Sequence, residues 1–355
     1  MTACAVELMS SCQNTMPELK EGVPMTIQAS VVAPPETKTF YEYTDDKTLE
    51  GYWDEVEAIT VVSFNENGIT AVDKFTSTGI KGRYIAEFSG KWNGKVGDKV
   101  ICLYPPVDSY AGYSIFDNVR KDSRTIYIRN FSAPLSPLQH NDTGSVSEVD
   151  LMLGELKFGA DDNGDDYGDG GVENNDNRPH VCLKHLIGVF RIEATLKSLP
   201  FKGEPYYMAR INTLRISAVD PDAEEDEWGL NGDPVFVRFA GLDVTTYSYT
   251  GRPFAIERGP LDYYLSDSGN YSDFHMAGEN GKEPVTKTFY VPVRFDGDLQ
   301  AGYELRFQFG GTYYEYYSGA PTYVREFPGI SDKRKTITST LPLENGKIYS
   351  FKVTI

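Results

Sequence analysis

The sequence predicts an all-β protein built as two tandem β-sandwich domains, and three observations carry that expectation. Apolar side chains recur at every second residue in short runs along most of the chain, the period of a strand with one buried face. Sustained i, i+3, i+4, i+7 apolar stripes with helix caps are missing, so helix signals are scarce. Tyr 24, Phe 19, Gly 33 and Pro 20 in a chain of 355 residues suit short strands and frequent turns.

The elements follow in order. Met25, Ile27, Ala29 and Val31 alternate with Thr26, Gln28 and Ser30, which predicts a half-buried first strand. Further strands are expected in AITVVSF (58–64), RYIAEFSG (83–90), DKVICLY (98–104) and RTIYIRNF (124–131). Asn67-Gly68 and Asn93-Gly94 are tight-turn signals between them. Pro105-Pro106 and the prolines at 134 and 137 end strands, because proline lacks the ladder donor.

The composition then changes abruptly. Residues 161–178 read DDNGDDYGDGGVENNDNR and hold too few apolar side chains to bury anything. Strand patterns resume in VCLKHLIGVFRIEATL (181–196), INTLRISAV (211–219), PVFVRF (234–239), KTFYVPVRF (287–295) and YELRFQFGGTYYEYY (303–317). This organisation predicts a terminal tether over 1–22, one sandwich over 23–160, an acidic linker over 161–179 and a second sandwich over 180–355.

The final strand is the most informative element. After a turn at Asn345-Gly346, Tyr349, Phe351, Val353 and Ile355 fall on one face and Ser350, Lys352 and Thr354 on the other. Such a strand needs a place in a sheet, either closing its own fold or lent to a neighbour. Burying its four apolar residues would contribute on the order of 6–10 kcal/mol before ordering costs.

The formal net charge of -18 makes nucleic acid and anionic membrane surfaces poor partners. No run of 18 apolar residues is present to cross a bilayer as a helix. Cys102 and Cys182 lie in apolar strand runs and read as buried thiols, with a bridge between them left open. Near the start, Leu8-Met9-Ser10-Ser11-Cys12 looks like the end of a bacterial lipoprotein signal, although the usual basic start and long apolar core are missing. Acylation, as with palmitate, is expected at Cys12, with Cys4 as second candidate and residues 13–22 as a polar tether.

Several segments, in this order, resemble the fimbrillin family of Bacteroides-type bacteria, the subunits of type V pili. They are GKWNGKVGDKVICLYPP (90–106), SPLQHNDTGSVSEVDLMLGEL (136–156), HLIGVFRIEA (185–194) and LENGKIYSFKVTI (343–355). The resemblance implies transthyretin-like, Greek-key sandwiches and a lipoprotein delivered to the outer membrane. It further implies a structural or adhesive subunit, at the tip or as a minor component of the fimbrium, that joins other fimbrial subunits by β-strand exchange. Host or bacterial surface proteins or glycans would be further partners, and no cofactor is implied. In that family an N-terminal strand is removed by cleavage after an arginine. Between Cys12 and Arg83 this chain has none, and Lys38 in PPETKTF is the substitute site. The alternative reading is a lipid-anchored, non-polymerising carbohydrate-binding surface protein.

In the acidic segment Asp161, Asn163 and Asp165 are oxygen ligands at alternate positions, with Asp166, Asp169 and Glu173 nearby. An EF-hand loop counted from Asp161 would need Gly and Glu where Asp166 and Val172 stand, so no metal site is assigned. His140, His180, His185 and His275 lack zinc-type spacing, and no nucleophile elbow, phosphate loop or dinucleotide fingerprint occurs. A non-enzyme is expected. Tyr313, Tyr314, Tyr316, Tyr317 and Tyr323, with Trp228 and the loop 263–274, are either a contact surface or cross-strand packing.

Overall fold

The computed structural model describes residues 22–31, 53, 57–77, 85–107, 116–129, 151–157, 179–196, 207–222, 233–245, 255–258, 260–264, 273–275, 284–317 and 320–355. Every regular element among them is a strand. In the first half these are β1 (Val23–Val31), β2 (Ala58–Asn65), β3 (Gly68–Ser77), β4 (Ile85–Trp92), β5 (Lys99–Tyr104), β6 (Phe116–Asp117), β7 (Thr125–Arg129) and β8 (Met152–Lys157). Beyond the acidic segment follow β9 (His180–His185), β10 (Gly188–Leu196), β11 (Tyr207–Val219), β12 (Val237–Asp243), β13 (Ala255–Arg258) and β14 (Leu261–Tyr264). The chain continues through β15 (Asp273–His275), β16 (Val285–Val293), β17 (Glu304–Tyr317) and β18 (Ala320–Thr336) to β19 (Ile348–Thr354). The all-β expectation is met.

A closed sheet runs in the order β1-β4-β3-β2-β5-β8-β9. The other sheets are β16-β10-β19, β14-β11-β17-β18 with β15 also on β11, and β13-β12-β7-β6. Pairing is antiparallel except between β1 and β9 and between β10 and β19.

The run 181–196, expected as one strand pattern, is two strands in different sheets. β9 pairs with β8 and β1, whereas β10 pairs with β16 and β19. The break falls at Leu186–Ile187, where the Leu186 amide donates to the Leu151 carbonyl. Gly188 then passes so close to Phe295 that a Cβ there would lie 2.5 Å from its ring. Strand pairing therefore crosses the acidic segment. β1 takes its second neighbour, β9, from beyond that segment. A second crossing joins β7 to β12.

Two apolar cores share strands β2 and β5. Ile59, Val61, Val100 and Cys102 point into the closed sheet with Ile27, Trp53, Phe75, Phe88 and Trp92. From the other face of the same strands, Val62, Phe64, Ile101 and Leu103 join Ile126, Phe190, Ile216, Phe307 and Phe351. Strands buried on both faces read as continuous apolar runs, which explains AITVVSF and VICLY.

Carboxylates fix the turns that bring these strands together. Asp98 accepts from the Lys95 amide at 2.9 Å, from Asn65 Nδ2 at 3.1 Å and from the Thr70 hydroxyl, so it ties the β2–β3 turn to the β4–β5 turn. Asp73 accepts from the Asn93 amide and side chain at 2.8 and 2.7 Å. Between them Trp92 donates to Ser63 Oγ at 3.0 Å, and its indole lies where a Cβ at Gly94 would be. The GKWNGKVGDKV motif is thus a turn clamp.

Asp233 does the same work in the second half, accepting from the amides of Ala218, Val235 and Phe236 at 2.8, 3.0 and 2.9 Å. Burial outweighs these donors and pushes its carboxyl from 3.8 up to about 6. A carboxyl raised in the folded state contributes stability that is fully present below its ordinary value and is lost as pH rises through about 6. In Asp233→Asn the corresponding slope in unfolding free energy, roughly 2–3 kcal/mol across that window, should flatten. Urea titrations at a series of pH values check this, and an unchanged slope would assign the titration to another group.

Candidate functional site

The candidate site comprises β1 and β19, the strands nearest the two ends of the chain. β1 lies between two neighbours. It pairs with β4 from Val23–Trp92 to Ser30–Ile85, and with β9 from Gln28–His180 to Val31–Leu183. The Gly22 amide donates a hydrogen bond to the Trp92 carbonyl at 2.7 Å, and the Gln28 amide one to the Pro179 carbonyl at 2.9 Å. Met25, Ile27, Ala29 and Val31 are buried in the closed sheet, as the alternation predicts. Trp53 covers them and donates from Nε1 to the Ala29 carbonyl at 3.2 Å. Its ring meets Phe88 and Tyr104 edge-on at 5.0 and 5.5 Å. Taking β1 away would uncover both backbone edges and this aromatic floor. Its four apolar side chains alone account for on the order of 5–8 kcal/mol of burial.

β19 occupies a different position. It pairs in parallel with β10 from Val189–Ile348 to Thr195–Thr354, and Ile355 extends the ladder through its amide to the Thr195 carbonyl. Among the described residues no strand pairs with its other edge, so it ends the sheet β16-β10-β19. Phe351 sits 4.8 Å from the Phe190 ring and 5.4 Å from Phe307, bridging two sheets. Tyr349 lies 5.8 Å edge-on to Phe295 and is half-buried, as is Ile355, while Val353 is buried. Ile348, outside the expected alternation, is also buried. In this chain, therefore, the final strand lies in a sheet of its own molecule.

The turn before β19 is fixed from two sides. The Tyr349 hydroxyl accepts from the Glu344 amide at 2.7 Å and donates to the Pro342 carbonyl at 3.2 Å. Gly346, with φ 84°, donates to the Ile187 carbonyl at 2.7 Å and packs against the His185 ring. Its left-handed backbone suits glycine. On the outer face Glu193 joins Arg191 at 2.5 Å and Lys352 at 3.4 Å, across the register pair Glu193–Lys352. Burial works against the Glu193 charge, but Arg191 and then Lys352 outweigh it and hold the carboxyl below its usual range. Lys335, from β18, lies over the Phe351 ring with Nζ 5.8 Å from the centroid.

Cys12, Lys38, Trp228, His140 and the acidic segment 161–178 lie outside the described residues, as do residues 265–272 of the expected contact loop. The backbone at Tyr313, Tyr314, Tyr316, Tyr317 and Tyr323 lies in the β17–β18 hairpin, and Tyr314 pairs with Tyr323. His180 and His185 are buried in β9 opposite Lys157 and Met152. Cys102 and Cys182 are free thiols, and burial pushes the Cys102 thiol well above its ordinary value. Among the described residues no group of His, Cys, Asp and Glu is arranged to hold a metal ion. Sequence reasoning missed Arg191, Glu193 and Lys335. Alternation placed the first two on a polar face, but only register sets them against β19.

No protein-family model matches the chain, and no curated protein matches it. Solved structures that match the chain include a "putative cell adhesion protein" of Bacteroides ovatus, at 12% identity and TM-score 0.37, covering 94% of this chain and 93% of that one. Another protein of that description, from Bacteroides eggerthii, gives 14% identity and TM-score 0.37 over 96% and 88% of the two chains. The fimbrial anchor protein Mfa2 of Porphyromonas gingivalis gives 12% identity and TM-score 0.31 over 80% and 78%.

The contacts of β19 set its energetic weight. Phe351→Ala should cost about 3–5 kcal/mol of stability, since it empties a contact between two sheets. Lys352→Ala should cost less than about 1 kcal/mol, as an exposed partner in an ion pair. Chemical denaturation of both variants checks the contrast, and equal costs would refute it.

Proposed function

We propose that this protein is a cell-surface, fimbrillin-like structural or adhesive subunit that assembles with other subunits by exchange of terminal strands. The observation that carries the reading is the position of β1 between β4 and β9, with both backbone edges bonded and alternate side chains buried. Removal of a strand so placed would leave a groove with unpaired donors and acceptors along β4 and part of β9 above an apolar floor. β19 has the chemistry to fill such a groove, because Phe351 and Val353 are buried on alternate positions with Lys352 and Thr354 exposed between them. In β1 the buried alternate positions are Met25, Ile27, Ala29 and Val31, and the β19 pattern follows this alternation from Tyr349 to Thr354, with buried Ile348 outside it.

The sequence resemblance to fimbrillins supports the same reading. Under it Cys12 carries the lipid that holds the precursor at the outer membrane, and cleavage at Lys38 releases β1. The division into two transthyretin-like sandwiches belongs to this proposal, with β9 completing the first from beyond the acidic segment. An adhesive role at the tip, toward surface proteins or glycans, fits a subunit lacking the arginine at which shaft subunits of that family are cut.

A chain beginning at residue 39 tests the exchange. It should bind a synthetic peptide of residues 342–355 with one-to-one stoichiometry by calorimetry, whereas the full chain, its groove filled by β1, should not. A peptide of residues 23–31 is the control for an open, folded groove. Binding of that peptide without binding of the C-terminal one would sink the exchange reading. For the anchor, the mass of the protein taken from its native membrane should include acyl chains on Cys12, and an unmodified Cys12 still preceded by Ser11 refutes it.

A further inference from the structure

Lys333, Arg334 and Lys335 are the only three consecutive basic residues in a chain whose formal net charge is -18. They lie near the end of β18, which pairs with β17 along one side and with no other strand among the described residues. Register sets Lys333 opposite Phe307 and Lys335 opposite Leu305, and paired residues share a face. Both lysines therefore stand on the face of the edge strand that Phe307 and Leu305 turn to the core, with Lys333 half-buried and Lys335 exposed at the rim. Lys335 bears this out, since its Nζ lies over Phe351 of β19, itself an edge strand.

The neighbouring charges are unevenly matched. Glu304 is shared by Arg306 at 3.2 Å and Arg334 at 3.5 Å, and Glu193 takes Lys352 on the far face of β19. No carboxylate pairs with Lys333 or Lys335 among the described residues. The flank between β18 and β19 thus combines backbone edges open to a new strand with two positive charges at alternate residues.

We infer that this flank docks an extended acidic peptide segment whose carboxylates recur at every second residue. Alternation is required because side chains two apart on a strand share a face, so each carboxylate would lie beside one lysine while the backbones pair. The opposite charge is required because an apolar strand would have to desolvate both ammonium groups without compensation. Inward lysines on edges also serve to prevent unwanted strand pairing. That role predicts rejection of every strand, whereas docking predicts selection by charge.

Fluorescence anisotropy on the full chain separates the two. The probe is a labelled peptide of alternating threonine and glutamate, about a dozen residues long, and the control replaces glutamate by glutamine. Saturable binding of the acidic peptide is expected, at least about tenfold tighter than the control and falling about tenfold between roughly 50 and 300 mM salt. Lys333→Gln with Lys335→Gln should abolish the preference between the peptides. Lys333→Gln alone, which leaves Lys335 over Phe351, should halve the salt dependence and keeps the test available if the double variant does not fold. Absence of binding, equal binding of the two peptides, or a preference unchanged in the lysine variants would overturn the inference and leave edge protection as the role of these residues.

Discussion

The need of the β1 backbone for partners on both edges governs the architecture around it. A strand of nine residues with a buried face can be left unpaired only at the cost of stranded donors and acceptors. β4 supplies one ladder locally. The other comes from β9, which lies beyond the acidic segment and reaches β1 in parallel. That pairing closes the sheet, encloses Trp53 and Trp92, and makes the first core depend on residues from two distant stretches of chain. Loss of β1 would leave backbone of both β4 and β9 without partners.

β19 presents the opposite case. It is bonded along one edge, and its hold on the molecule comes from side chains: Phe351 between two sheets, Tyr349 against Phe295, and Lys352 against Glu193. One strand is thus bonded along both edges, and the other along one edge with side-chain packing added. The proposed strand exchange would use this asymmetry, because a site that holds a strand by both edges and a strand with an open edge occur in the same chain. The lysines on the neighbouring edge of β18 restrict which strands that flank would accept, through the cost of burying an uncompensated ammonium.

Shared burial links the two halves. β2 and β5 present one set of side chains to the closed sheet and the other to the larger core, so neither core can be repacked alone. The clamps at Asp73, Asp98 and Asp233 accept from backbone amides of Asn93, Lys95 and Ala218. The abundance of acidic residues thus includes a small buried set with structural duties, distinct from the solvated majority that sets the net charge.

Alternation of apolar and polar residues was enough to read the strands themselves. It located the buried faces of β1 and β19, named Phe351 and Val353, and pointed to turns at Asn67-Gly68, Asn93-Gly94 and Asn345-Gly346, because side-chain period and turn chemistry are local properties. The tertiary structure alone decided which strands are neighbours. That β9 and β10 part company at Leu186, that β1 borrows a partner from across the acidic segment, and that Glu193 meets Lys352 while Lys335 covers Phe351 all depend on register between strands remote in sequence. Residues on adjoining strands carry no local mark of one another, and only the joint satisfaction of backbone edges and apolar faces selects the pairing.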